Sequence, residues 1–189
     1  MLYNSKILSK IQTFICGDFM LVRDLKENNI PNKPGIYCIK LGQDIEWPSK
    51  FGKIREDRII YIGMASVSLK ERLWKEELHD LSPATFFRSI GTILGYWPPK
   101  GSMIGKRNHR NYRFSPEDKK KIQVWMQQSL LVNFILLPKE VLEDFEKKLI
   151  KELRPLVNIK HNPTKSKELQ NARKRCINWA NMKPDKTDF

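Results

Sequence analysis

Glu146 is a carboxylate set into an apolar stripe. On a segment that reads as a helix from Pro138 to Leu153, Leu142, Phe145, Leu149, Ile150 and Leu153 recur at helical spacing and define one face. Glu146 follows Leu142 by four residues and precedes Leu149 by three and Ile150 by four, which puts it at that face. Glu143, Lys147 and Lys151 fall on the wet side. A carboxylate drawn out of water needs a cation or a metal as partner. The same pattern also fits a glutamate at the edge of the stripe, paired with a lysine. Arg72 poses the matching question for a cation, because it adjoins the Leu69, Leu73 and Trp74 stripe of another helical segment. It can lie over the core edge or point into bulk water. Tyr37 and Tyr61 stand in two β-rich runs, where a tyrosine packs by default.

The elements that must position these groups carry their own signals. A short helix is expected around Phe19–Lys26, stopped by Asn28, Asn29, Pro31 and Pro34. Gly35 to Leu41 and Arg58 to Gly63 read as strands, joined by a polar loop without helical period and therefore as an antiparallel pair. Ser68 and Glu71 form a capping box that opens a helix to about Leu78. Pro83 to Leu94 is a further helical stretch, with Phe86, Phe87, Ile90 and Ile93 as core residues, and Tyr96 to Phe114 reads as an exposed loop. Ser115 and Pro116, followed by Glu117 and Asp118, start a helix with Ile122, Trp125 and Met126 on its inner face. Leu130 to Leu137 is a third strand, and Ser166 to Asn181 a final basic helix.

With 189 residues the size prior suggests one compact domain with appendages. The chain is strongly basic: 35 Lys and Arg against 21 Asp and Glu give a net charge of +14. At 40% hydrophobic residues it is not a disordered polycation, and no apolar run is long enough to span a bilayer. Such a surplus suits a polyanion, nucleic acid first, and otherwise a basic surface that aids solubility. The surplus concentrates in two stretches, Lys100–Lys121 and Lys147–Phe189. Lys106, Arg107, Arg110 and Arg113, interleaved with Asn108, Asn111 and Tyr112, offer phosphate clamps beside base-reading side chains. Arg173, Lys174 and Arg175 make a basic helix face suited to a nucleic-acid backbone. Cys16, Cys38 and Cys176 are odd in number and far apart, which indicates neither a disulfide framework nor a zinc site. His109 and His161 lack partner ligands at metal-binding spacing. The expected setting is the reducing cytoplasm.

Gly35-Ile36-Tyr37 followed by Tyr61-Ile62-Gly63 resembles the paired motif that names the GIY-YIG nucleases. Arg72 falls on the following helix, where that family keeps an arginine. Glu146, Leu149-Ile150, Pro155 and Asn158 resemble its glutamate-to-asparagine signature, and closely resemble the corresponding stretch in the N-terminal incision domain of the bacterial excision-repair nuclease. The resemblance covers roughly residues 34–160 and implies an α+β fold, a three-stranded antiparallel sheet flanked by helices. It implies Glu146 as the single protein ligand of Mg²⁺ (or Mn²⁺), which keeps most of its waters. It also implies Tyr61 as acceptor of the attacking water's proton, Tyr37 as an orienting hydrogen-bond partner, Arg72 as a phosphoryl clamp and Asn158 as support for a water or the backbone. Which tyrosine is the base stays open.

Met64 stands where many relatives carry a lysine, and Lys70 is the candidate replacement. Glu76 stands where several carry a histidine, the nearest histidine being His79. The long interval between Arg72 and Glu146 looks like inserts of small free-standing bacterial members, some of them restriction enzymes. The expected organisation is a helical extension over 1–33, a nuclease domain over 34–160 with an insertion at 83–128, and a basic helical extension over 161–189. The expected activity is metal-dependent endonucleolytic hydrolysis of DNA in restriction or defence. A structure-selective repair nuclease and a basic binding module with a weak or inactive site are the competing readings. DNA is the expected partner with RNA left open, a homodimer would match palindromic sites, and no membrane role is expected.

Overall fold

A computed structural model describes residues 14–82 and 84–183. At its centre are four antiparallel strands, β1 (Met20–Leu21), β2 (Gly35–Leu41), β3 (Ile59–Ala65) and β4 (Leu130–Leu136), in the order β1-β4-β2-β3. Around them stand a π-helix (Lys70–Leu78) and the α-helices α1 (Thr85–Ile93), α2 (Pro116–Ser129), α3 (Lys139–Leu153) and α4 (Lys167–Asn181). The α+β class is as expected, but the sheet has four strands, not three. Met20 and Leu21 pair with Val132 and Leu131 of β4, and a 3₁₀ turn at Val22–Asp24 follows. This pairing replaces the helix expected over Phe19–Lys26. The open edge of β4 offers backbone groups that Met20 and Leu21 satisfy, and Val22 and Leu25 are buried beside it. A two-residue strand has no periodicity to read. Residues 1–13 of the expected N-terminal extension, Pro83 at an expected helix start and residues 184–189 lie outside the described residues.

Alternation along the strands divides the core into two faces. On one, Tyr37 and Ile39 of β2 and Tyr61 of β3 join Phe86 and Ile90 of α1, Met126 of α2 and Leu169 of α4. On the other, Ile36, Cys38 and Ile62 pack on Leu142, Phe145, Leu149 and Ile150 of α3. Thus α3, which carries Glu146, and the two tyrosines lie on opposite sides of the sheet.

Glycine has a defined task at position 63. Tyr37 lies directly across from it, and a Cβ there would stand 2.4 Å from the ring's Cζ and hydroxyl. Since Tyr37 is fully buried, the ring has nowhere to retreat. Gly63→Ala is expected to cost about 1–3 kcal/mol by overpacking, read as a lower urea midpoint. An unchanged midpoint would mean that the ring has a second seat.

Serine hydroxyls meet the first amides of three helices, while Glu71 of the expected capping box is paired with Lys75 at 2.7 Å. The hydroxyls of Ser68, Ser115 and Ser166 accept from the backbone N–H groups of Glu71, Asp118 and Leu169 at 3.1, 3.1 and 3.2 Å. The long basic loop is anchored rather than free. Met103 N donates to Ala180 O at 2.8 Å, and Asn181 Nδ2 to His109 O at 2.9 Å. Tyr112, read from the sequence as a base-contacting side chain, is buried with its hydroxyl 3.0 Å from Thr92 Oγ1. Its ring packs edge-on to Phe114 in the core, so it is closed to a partner. Among the described residues no helix is long and apolar enough to cross a membrane.

Candidate functional site

The π-helix turns two consecutive carboxylates toward Arg72. Arg72 Nη1 lies 2.5 Å from Glu76 Oε2, and Nη2 lies 2.7 Å from Glu77 Oε1. Winding with i→i+5 hydrogen bonds brings residues five apart onto one side, which ordinary α-winding does not. Glu77 is completely buried and fully engaged: Tyr37 Oη donates to Oε1 at 3.3 Å, and Phe86 N at the start of α1 donates to Oε2 at 3.0 Å. Burial pushes the Glu77 carboxyl above its ordinary range, against the opposing pull of Arg72. Burial works most strongly against the Arg72 charge, but Glu77, Tyr37, Glu76 and Tyr61 together outweigh it and the guanidinium stays firmly protonated. Glu77 was absent from the sequence reading. Its only signal was a carboxylate one residue before Leu78 on an amphipathic segment.

The two tyrosines differ in access. Tyr37 has no exposed surface, and burial, with Glu77 and Tyr61 adding, drives its phenol well above the ordinary value. Tyr61 keeps 7% exposure and stacks at 4.8 Å on Phe86, with Tyr37 at 6.2 Å. Burial and Glu77 likewise push Tyr61 upward, Arg72 opposes, and Glu146 adds a further rise. Neither phenol is acidic in these surroundings.

Glu146 reaches this region around the edge of the sheet. β3 is an edge strand, so α3 on one face and the π-helix on the other both overlook its end. There a cleft of about 400 Å³ opens, lined by Met64, Ser66, Ser68, Glu71, Arg72, Glu76 and Glu146. Burial raises the Glu146 carboxyl, while Lys160, the Met64 backbone N–H and Arg72 pull it down. Lys160 is thus a second cation in the site's field that the sequence reading did not single out.

Asn158 has a different place. Its Oδ1 accepts from Ile62 N at 2.9 Å and its Nδ2 donates to Ile62 O at 2.8 Å. Val157 N donates to Ile60 O at 2.9 Å. Together they cap the open edge of β3 as a short strand would. Asn158 therefore holds the backbone beside Tyr61, with both ends of its amide occupied. Lys70 and His79 do not line the cleft. His79 Nδ1 lies 2.8 Å from Trp74 O and its ring stacks on Trp74 at 4.1 Å.

The basic candidates fall into separate places. Lys106, Asn108, Asn111 and Arg113 line one groove, while Arg110 converges with Arg173 and Lys174 of α4 on another. Arg107 is exposed on the loop, and Arg175 pairs with Glu168 at 2.9 Å.

Oxygen donors of this kind suit a hard cation. Among the described residues no group of three His, Cys, Asp or Glu side chains converges to cage a metal. A half-buried carboxylate at an open cleft, with Glu71 and Glu76 also in its lining, fits a cation that keeps most of its hydration, as Mg²⁺ does. The arrangement can hold such a cation at Glu146 and clamp an oxyanion at the exposed part of Arg72, while neither Tyr37 nor Tyr61 is among the residues that line the cleft.

A family model described as the GIY-YIG catalytic domain matches residues 35–175. No curated protein and no solved structure matches the chain.

Proposed function

This chain belongs to the GIY-YIG nuclease family, and from that premise we propose that it is a divalent-metal-dependent endonuclease hydrolysing DNA in the Arg72–Glu146 cleft, in restriction of foreign DNA. The convergence of Arg72 and Glu146 on one cleft from opposite faces of the sheet carries this reading. Glu146 would hold Mg²⁺ or Mn²⁺, which when bound supplies Lewis-acid stabilisation of charge on the phosphoryl oxygens. Arg72, one third exposed, clamps a non-bridging oxygen while its other face stays tied to Glu76 and Glu77. Tyr61 is the phenol that orients the attacking water, because Tyr37 is sealed and donates to Glu77. It would take the water's proton only as a phenolate, after releasing its own proton to solvent, a form that Arg72 and a bound cation would stabilise against the upward push of burial. Tyr37 is then a positioning residue for the Glu77–Arg72 pair. The groove with Lys106, Arg113, Asn108 and Asn111 places phosphate clamps beside amides able to read base edges, which favours sequence-specific cleavage.

Supercoiled plasmid, phage DNA and an RNA of matching sequence, each incubated with Mg²⁺, with Mn²⁺ and with chelator, test the reading. Discrete DNA bands that require the metal are expected. Cleavage confined to branched DNA or RNA would replace the substrate, cleavage that persists in chelator would overturn the metal role, and absent cleavage of every substrate would overturn the nuclease.

A further inference from the structure

A cavity of about 650 Å³ lies between α1, α4 and the basic loop, and shares no lining residue with the cleft. Its innermost cation is Arg88 of α1, only 5% exposed, whose Nε and Nη1 are buried without a hydrogen-bond partner. Arg173 of α4 faces the same space, and its Nε is also buried and unpartnered. Arg110 and Lys174 add two further positive charges, and among the described residues no acidic side chain lines the cavity.

An unpaired buried guanidinium is costly, and a second one beside it more so. Burial and the Arg173 charge push Arg88 downward, against the weaker fields of Tyr112, Asp80 and Glu77. Glu77 is already engaged by Arg72, Tyr37 and the Phe86 N–H. Tyr112, with its ring centroid 5.8 Å from the Arg88 guanidinium, supplies a π face but no anion. The missing complement is an anion whose oxygens can take several N–H donors at once, as a phosphate does.

The cavity is linked to the cleft's surroundings along the chain. Ile159, in its wall, follows Asn158, which holds β3 at Ile62, and precedes Lys160, whose charge acts on Glu146. Successive Cα atoms lie about 3.8 Å apart, so this wall of the cavity is one residue along the chain from the groups that hold β3 and act on Glu146.

We propose that the Arg88–Arg173 cavity is a phosphate site that holds the backbone of the nucleic-acid strand beside the segment lying in the Glu146 cleft, and so sets the strand's register. This deepens the nuclease reading and rests on it. Phosphate contacts of this kind orient a strand without reading its sequence.

The test uses the full chain in chelator, as wild type, Arg88→Met and Arg173→Met. Affinity for a labelled DNA duplex is measured across a salt series, and melting is followed with and without inorganic phosphate. Each variant is expected to bind about tenfold more weakly, with a salt slope shallower by about one. Without anion, Arg88→Met should melt no lower than wild type, since methionine removes an unpaired buried charge, and phosphate should protect the wild type more than either variant. Wild-type affinity and slope in both variants, with DNA bound by the wild type, would overturn the proposal. Phosphate protection that depends on Arg88 while DNA affinity does not would overturn the strand assignment in favour of free phosphate. No DNA binding by the wild type would overturn the nuclease reading itself. Should Arg88→Met fail to fold, Arg173→Met, on the partly exposed face of α4, decides alone.

Discussion

Glu146→Gln is expected to lower metal-dependent cleavage by about 10³-fold while leaving the Kd for DNA within about twofold. Glutamine keeps the shape and one carbonyl oxygen but removes the charge that a hard cation needs. A second readout does not depend on turnover. Glu146 is half-buried, and burial already raises its carboxyl against the pull of Lys160 and Arg72, so the neutral variant should be at least as stable as the wild type in chelator. The wild type should then gain melting temperature as Mg²⁺ is added, and Glu146→Gln should not. The pH dependence has a defined sign. A raised carboxyl pKa means that protons compete with the cation at higher pH than at an ordinary glutamate, so the Mg²⁺ concentration for half-maximal protection should rise as pH falls toward the carboxyl range. Full cleavage by Glu146→Gln, with an unchanged Mg²⁺ response, would remove this residue from the metal site.

Arg72→Met is expected to abolish cleavage and, unlike Glu146→Gln, to destabilise the fold by about 2–3 kcal/mol. Breaking a fully buried pair costs more, and the figure is discounted because the Arg72 side chain is 34% exposed. The loss comes from Glu77, left at 0% exposure with only Tyr37 and the Phe86 N–H as partners. Its carboxyl is raised in the fold despite Arg72, and without the guanidinium it rises further. A carboxyl whose folded pKa lies above its unfolded value of about 4.3 contributes stability below that value and loses it as pH rises through the folded pKa. The penalty of Arg72→Met should therefore be largest at neutral pH and shrink as pH is lowered, because protonated Glu77 needs no cation. Adding Glu77→Gln to Arg72→Met should recover much of the stability at pH 7 without recovering cleavage. A penalty that does not change with pH, or a double variant no more stable than the single, would show that Arg72 is not the counterion of Glu77.

Much of this molecule was legible in the chain because its signals are local. The apolar runs at Gly35 and Arg58, the 3.6-residue stripe around Glu146 and the serine caps each lie within a few residues, and each formed as its spacing required. The paired tripeptides, Arg72 and the glutamate-to-asparagine run named the family for the same reason, since a motif is a pattern of types along the chain. Spatial relations between distant segments are absent from such patterns. The resemblance implied Tyr61 as proton acceptor and Tyr37 as its orienting partner while leaving the base open, and it is packing that gives the two different access, by sealing Tyr37 against Gly63 and Glu77. Glu77 escaped notice because a 3.6-residue period puts it on a different side from Arg72, whereas the π-helix joins them. Asn158 proved to serve the backbone of Ile62, 96 residues away, and His79 turned to the carbonyl of Trp74. Arg88 and Arg173 read as parts of separate helices until α1 and α4 faced one cavity. Residue types and short spacings are thus determined by the chain alone. Which charges are left without partners, and which phenol is sealed completely, is decided by the closing of the core, because burial and Coulomb energy depend on distances in space.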